Sequence, residues 1–122
     1  MTNAQEALTG KRVLVVEDDY FIAKGLARSL KAVGANVLGP VATVADALAL
    51  IEAGPLDGAV LDINLRGDFV FPVADVLTER DVPFIFATGY GSKAIPERYA
   101  SIVRCEKLVE PGAFIRALFT PH

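Results

Sequence analysis

The stretch VLVVEDDY, Val13 to Tyr20, runs from four apolar residues straight into three carboxylates, Glu17, Asp18 and Asp19. An uninterrupted apolar run of this length is how a strand buried on both faces reads, as in parallel sheets. Carboxylates crowded at the end of such a strand repel one another. Something in the fold must offset that repulsion, and a bound cation is the simplest candidate.

Outward from this stretch, short β-rich runs alternate with helical patterns. The first strand is Arg12 to Val16, and Ile22, Leu26, Leu30 and Val33 then recur at helical spacing over about Tyr20 to Val33. Gly34 stops that helix. A second strand covers Asn36 to Val41. Thr43 reads as the N-cap of a helix with Val44, Ala47, Leu48 and Ile51 on its apolar face, ended by Gly54-Pro55. The third strand, GAVLD, again ends on a carboxylate, Asp62. A polar loop, NLRGD, follows, then a helix from about Val70 to Arg80. The fourth strand, PFIFA, ends at Thr88 and Gly89, and a glycine-broken segment, GYGSKAIPERYA, leads to a fifth strand near Ser101 to Cys105. Lys107 and a last helix from about Pro111 to Leu118 complete the pattern. Five strands alternating with helices predict an α/β fold. Its sheet is parallel, five-stranded and doubly wound, in flavodoxin-like order 2-1-3-4-5, with helices on both faces.

Bulk composition narrows the function. A chain of 122 residues fits one domain, expected to span residues 1–122 with a core from about 11 to 119 and no output domain. With 52% hydrophobic residues and a net charge of −3 it is neither a disordered acidic tail nor a basic nucleic-acid binder. Cys105 is the single cysteine and His122 the single histidine, which argues against disulfides, cysteine or histidine metal clusters and serine or cysteine hydrolase triads. The N-terminal MTNAQEALTGK has no charged leader and apolar core, and the apolar stretch from Leu38 to Leu61 is broken by Asp46, Glu52, Asp57 and two Gly-Pro pairs. A cytoplasmic protein without membrane contact is expected.

In doubly wound sheets, ligands bind outside the carboxyl ends of the strands, near the switch point between strands 1 and 3. Glu17, Asp18, Asp62, Thr88 and Lys107 all fall on that rim. An oxygen-only acid cluster favours a hard cation, and one that leaves room for water suits Mg²⁺ better than Ca²⁺. The spacing of an EF-hand loop is absent around Glu17. A metal held by carboxylates, with a lysine and a threonine hydroxyl beside it, is equipment for phosphoryl transfer, in which Asp62 would be the nucleophile.

With these residues in place, the sequence resembles the response-regulator receiver domain of two-component signalling, from Lys11 to Leu118. The resemblance implies a CheY-like fold, Mg²⁺ held by Glu17, Asp18, Asp62 and the backbone carbonyl of Asn64, Asp62 as phosphoacceptor, and Thr88 and Lys107 as its catalytic partners. The run FATGYG, Phe86 to Gly91, is similar to a subgroup with an FATGY motif, often found as stand-alone domains in alphaproteobacterial signalling. The family's Lys-Pro is Lys107-Leu108 here, and the family's switch aromatic falls at Arg104. KLVEPGAFIRAL otherwise keeps the family's pattern after strand 5.

Each assignment has a plainer alternative. Glu17 and Asp18 could cap a helix, for which Asp19 is the better candidate. Asp62 could be a turn residue, Thr88 a strand-end threonine chosen for β propensity, and Lys107 a solvated lysine with Lys93 as its rival. Tyr90 and Asn64 sit where the family tunes dephosphorylation. Gly89 and Gly91 let a loop bend; Phe69, Phe71 and Phe84 read as core or loop packing, Cys105 as an inert buried thiol, and Arg66 and Asp68 as loop charges.

The expected function is that of a signalling phosphoacceptor rather than an enzyme, assisting its own Mg²⁺-dependent phosphotransfer and dephosphorylation. The implied partners are a sensor histidine kinase or histidine phosphotransferase and a downstream protein target. No nucleic acid is implied, and a phosphorylation-dependent homodimer is a further option. The main rival is a degenerate receiver that binds protein without phosphorylation, to which Leu108 and Arg104 lend weight. A small phosphohydrolase would want a second aspartate at position 64, which is Asn, and a nucleotide-binding flavodoxin relative would want a phosphate loop after strand 1.

Overall fold

The computed structural model describes residues 9–88, 96–99, 102 and 104–106. Strand β1 (Arg12–Val16) is flanked by β2 (Asn36–Val41) on one side and β3 (Gly58–Asp62) on the other. Beyond β3 lie β6 (Phe84–Thr88) and β7 (Arg104–Glu106). All four ladders are parallel, in the order β2-β1-β3-β6-β7. This is the expected 2-1-3-4-5 order once a two-stranded hairpin between β3 and β6 is set aside. Helices α1 (Tyr20–Ala32), α2 (Val44–Ala53) and α3 (Phe71–Glu79) make the crossovers.

Alternation along the central strands decides which helix covers which face. Val13 and Val15 of β1, Val60 of β3, and Ile85 and Ala87 of β6 form one core with Leu26, Leu30 and Val33 from α1 and its end. Leu14, Val16, Ala59, Leu61, Phe84 and Phe86 point the other way, into a core with Ala47 and Ile51 of α2 and Val73, Ala74 and Leu77 of α3. Two buried faces explain why these strands are apolar at every position. Each valine, leucine, isoleucine or phenylalanine side chain so withdrawn from water contributes about 1.5–3 kcal/mol.

Local signals set the helix ends. Asp19 Oδ1 accepts from Ile22 N at 3.0 Å, so Asp19 is the N-cap of α1. Thr43 Oγ1 accepts from Asp46 N at 3.1 Å and caps α2. At the end of α1, Gly34 N donates to Lys31 O and Ala35 N to Leu30 O, at 3.0 and 3.1 Å, with Gly34 at φ +95°. This is the Schellman pattern, and the glycine supplies its left-handed residue.

Three expectations need adjusting. The NLRGD segment is not an irregular loop: β4 (Asn64–Leu65) and β5 (Asp68–Phe69) pair antiparallel around Arg66 and Gly67. Both turn residues have positive φ, 54° and 97°, as a type I′ hairpin demands. The third helix is shorter than Val70 to Arg80, because Val70 and Arg80 are its caps. The last described strand, Arg104–Glu106, runs one residue past the expected end at Cys105, and Ser101 and Val103 lie outside the described residues. The last helix expected near Pro111 to Leu118 lies outside the described residues, as do Gly89, Tyr90, Gly91, Lys93, Lys107 and Leu108. No helix among the described residues is long and apolar enough to cross a membrane.

Candidate functional site

The carboxyl ends of β1 and β3 lie side by side because the two strands pair directly, Val16 opposite Leu61. Just past β1, the chain is fixed by Glu17 N donating to Val41 O at 2.9 Å. One carboxylate oxygen from each of Glu17, Asp18 and Asp62 lies within 4.8 Å of the other two. Glu17 and Asp62 are buried, at 2% and 4% exposure, and Asp18 is partly so. Three carboxylates drawn this close and out of bulk water are unfavourable without compensating positive charge.

Part of the capping alternative also holds. Glu17 Oε2 accepts from Asp19 N at 3.1 Å, so the glutamate helps to shape the turn into α1 while facing the cluster. Asp19 itself is exposed and occupied as the N-cap. The donor set is entirely oxygen, with no histidine or cysteine among the clustered groups, and such a set fits a hard divalent cation.

Of the other expected residues, Thr88 ends β6 one position beyond Ala87, the partner of Asp62 in the ladder. Its backbone therefore comes to the same rim. Arg104 pairs with Phe86 and Glu106 with Thr88 in the last ladder, so Lys107 follows directly after the strand that borders Thr88. Asn64 begins the hairpin two residues after Asp62, and its Oδ1 accepts from Gly67 N at 2.7 Å.

Arg66, expected to be no more than a loop charge, stands nearer the site than that. Its Nε lies 3.4 Å from Asp18 Oδ2, which places a guanidinium at the edge of the acid cluster. The available signal was the Arg-Gly pair, with glycine in the second place of a two-residue turn, which marks a hairpin but not where the arginine points. The hairpin also feeds an aromatic stack. Phe71 lies 5.6 Å from Phe69 and 5.7 Å from Tyr99, ring centroid to centroid, and Tyr99 Oη donates to Phe71 O at 3.3 Å. Phe69 is half exposed, whereas Phe84 and Phe86 are buried and meet Tyr99 edge-on. Tyr99 is thus packed against the start of α3.

The chain belongs to the response-regulator receiver family. It is 37% identical to SdrG from Sphingomonas melonis Fr1, whose solution structure it matches with a TM-score of 0.75 over 93% of this chain and 98% of that one. A response regulator from Burkholderia pseudomallei, crystallised with a phosphorylated aspartic acid, a calcium ion and citrate, is 25% identical. That match has a TM-score of 0.79 and covers 90% of this chain and 67% of the other. Among curated proteins, the photosynthetic apparatus regulatory protein RegA of Cereibacter sphaeroides is 32% identical over 84% of this chain and 56% of its own. The chain spans about half the length of the first curated relatives it matches. No protein-family model matches it.

Proposed function

We propose that this receiver is phosphorylated on Asp62 by a histidine kinase or histidine phosphotransferase and passes its state on by protein contact. The observation that carries the reading is the meeting of Glu17, Asp18 and Asp62 at the carboxyl ends of adjacent parallel strands. Glu17, Asp18, Asp62 and the backbone carbonyl of Asn64 would hold Mg²⁺. When bound, that ion neutralises the carboxylates and the phosphoryl oxygens. A carboxylate oxygen of Asp62 attacks the phosphorus of the donor's phosphohistidine; the new P–O bond forms as the P–N bond breaks, and the imidazole keeps the departing electron pair. Thr88 donates a hydrogen bond to the transferred group, and Lys107 offsets its charge.

The same residues would assist hydrolysis of the acyl phosphate. Tyr20 and Phe21, 68% and 82% exposed, directly follow the acidic turn and offer an aromatic contact to a protein whose histidine must reach Asp62. Phosphorylation would draw Thr88 and Lys107 toward the new dianion and reshape the surface beyond β6 and β7. The signal would leave to a downstream protein as an inhibitory contact, a relay or a phosphate sink, with phosphorylation-dependent homodimerisation as a further route. We also propose that the receiver is a single domain and works in the cytoplasm.

Intact-mass measurement after incubation with Mg²⁺ and acetyl phosphate or phosphoramidate tests this. The expected result is one added phosphoryl group, lost in Asp62→Asn and on chelation. Failure with both small donors and with candidate kinases, in folded protein, would favour a second reading. That reading is a binding module independent of phosphorylation, to which Arg104 in the strand register opposite Phe86 and Leu108 after the lysine lend weight.

A further inference from the structure

Arg66 stands at the first turn position of the β4–β5 hairpin with φ 54°, a conformation that favours glycine or asparagine over arginine. Strand pairing and a side-chain hydrogen bond hold the turn around it. Leu65 pairs with Asp68, Asn64 with Phe69, and Asn64 Oδ1 accepts from Gly67 N at 2.7 Å. The arginine side chain is 82% exposed, so packing does not account for it; its ion-pair contact is with Asp18, one of the three clustered carboxylates.

We propose that Arg66 is a resident counter-charge that sets how tightly the acid cluster takes a divalent cation. This rests on the reading that Glu17, Asp18 and Asp62 take Mg²⁺. The guanidinium forms an ion pair with an oxygen of Asp18, a group that would serve the metal, and its charge stands beside the site. A cation entering the cluster must therefore displace it or tolerate its repulsion. Either way affinity falls, and the carboxylates are partly neutralised before the cation arrives. Because the pair lies at the surface, its influence is moderate and screened by salt.

The test is calorimetric titration of metal-free protein with magnesium chloride, at low and at high potassium chloride, for wild type, Arg66→Gln, Arg66→Ala and Arg66→Lys. At low salt the Gln and Ala variants should bind Mg²⁺ about two- to five-fold more tightly than wild type. The Lys variant should stay near wild type, and the gap should narrow at high salt. Equal or weaker binding by the Gln and Ala variants, beside measurable wild-type binding, would overturn the role of Arg66 and leave the cation site standing. Absence of binding in all four proteins would overturn both.

Discussion

Replacing Gly67 by alanine tests whether the segment after Asp62 is an ordered hairpin. Gly67 has φ +97°, and a Cβ built there meets nothing within 4 Å, so no clash contributes and the cost is conformational. Holding an alanine in the left-handed region costs about 1–2 kcal/mol. The stiffer unfolded chain returns roughly 0.4–1 kcal/mol of that, leaving a net loss on the order of 0.5–1.5 kcal/mol. For 122 residues, an unfolding entropy of roughly 2.1 cal/mol/K per residue gives about 0.26 kcal/mol/K. Tm should therefore fall by about 2–6 °C.

Gly25 supplies a control of opposite sign. It lies on the exposed side of α1 within the helix, again with nothing within 4 Å of a built Cβ. There alanine should add about 0.5–1 kcal/mol and raise Tm by roughly 2–4 °C. Thermal melts followed by circular dichroism in the absence of Mg²⁺ would read both. If Gly67→Ala melts at or above the wild-type temperature, residues 64–69 do not hold this turn, and the placement of Arg66 loses its basis.

Two further outcomes are expected. Phe86 is fully buried and its ring meets Phe71, Phe84 and Tyr99 at 6.2, 5.6 and 5.8 Å. Phe86→Ala should cost about 3–5 kcal/mol in urea unfolding, a large share of a domain's usual margin. Asp19→Ala should lose about 1 kcal/mol with the α1 cap, and Asp19→Asn should lose less. Mg²⁺ titration should give the same affinity for both as for wild type, because Asp19 is not among the clustered carboxylates.

The sequence by itself determined the strand order and the residues that close β1, β3 and β6. A parallel strand covered on both faces must be apolar throughout, so VLVV, GAVLD and PFIFA announce themselves, and the first polar residue after each marks where the strand leaves the core. Caps are equally local: Asp19, Thr43 and Gly34 act through bonds to residues three or four positions away. Tertiary structure decided what depends on approach between distant segments. That Glu17, Asp18 and Asp62 converge within 4.8 Å follows from the pairing of β1 with β3. The Arg66 contact needed the turn as well, since a charged residue in a polar segment has no periodicity to reveal its direction, and a hairpin of two-residue strands leaves too short a pattern to read. Likewise, Tyr99 is recognisable as an aromatic but not as the ring stacked on Phe71, because 28 positions separate them and the fold alone closes that distance.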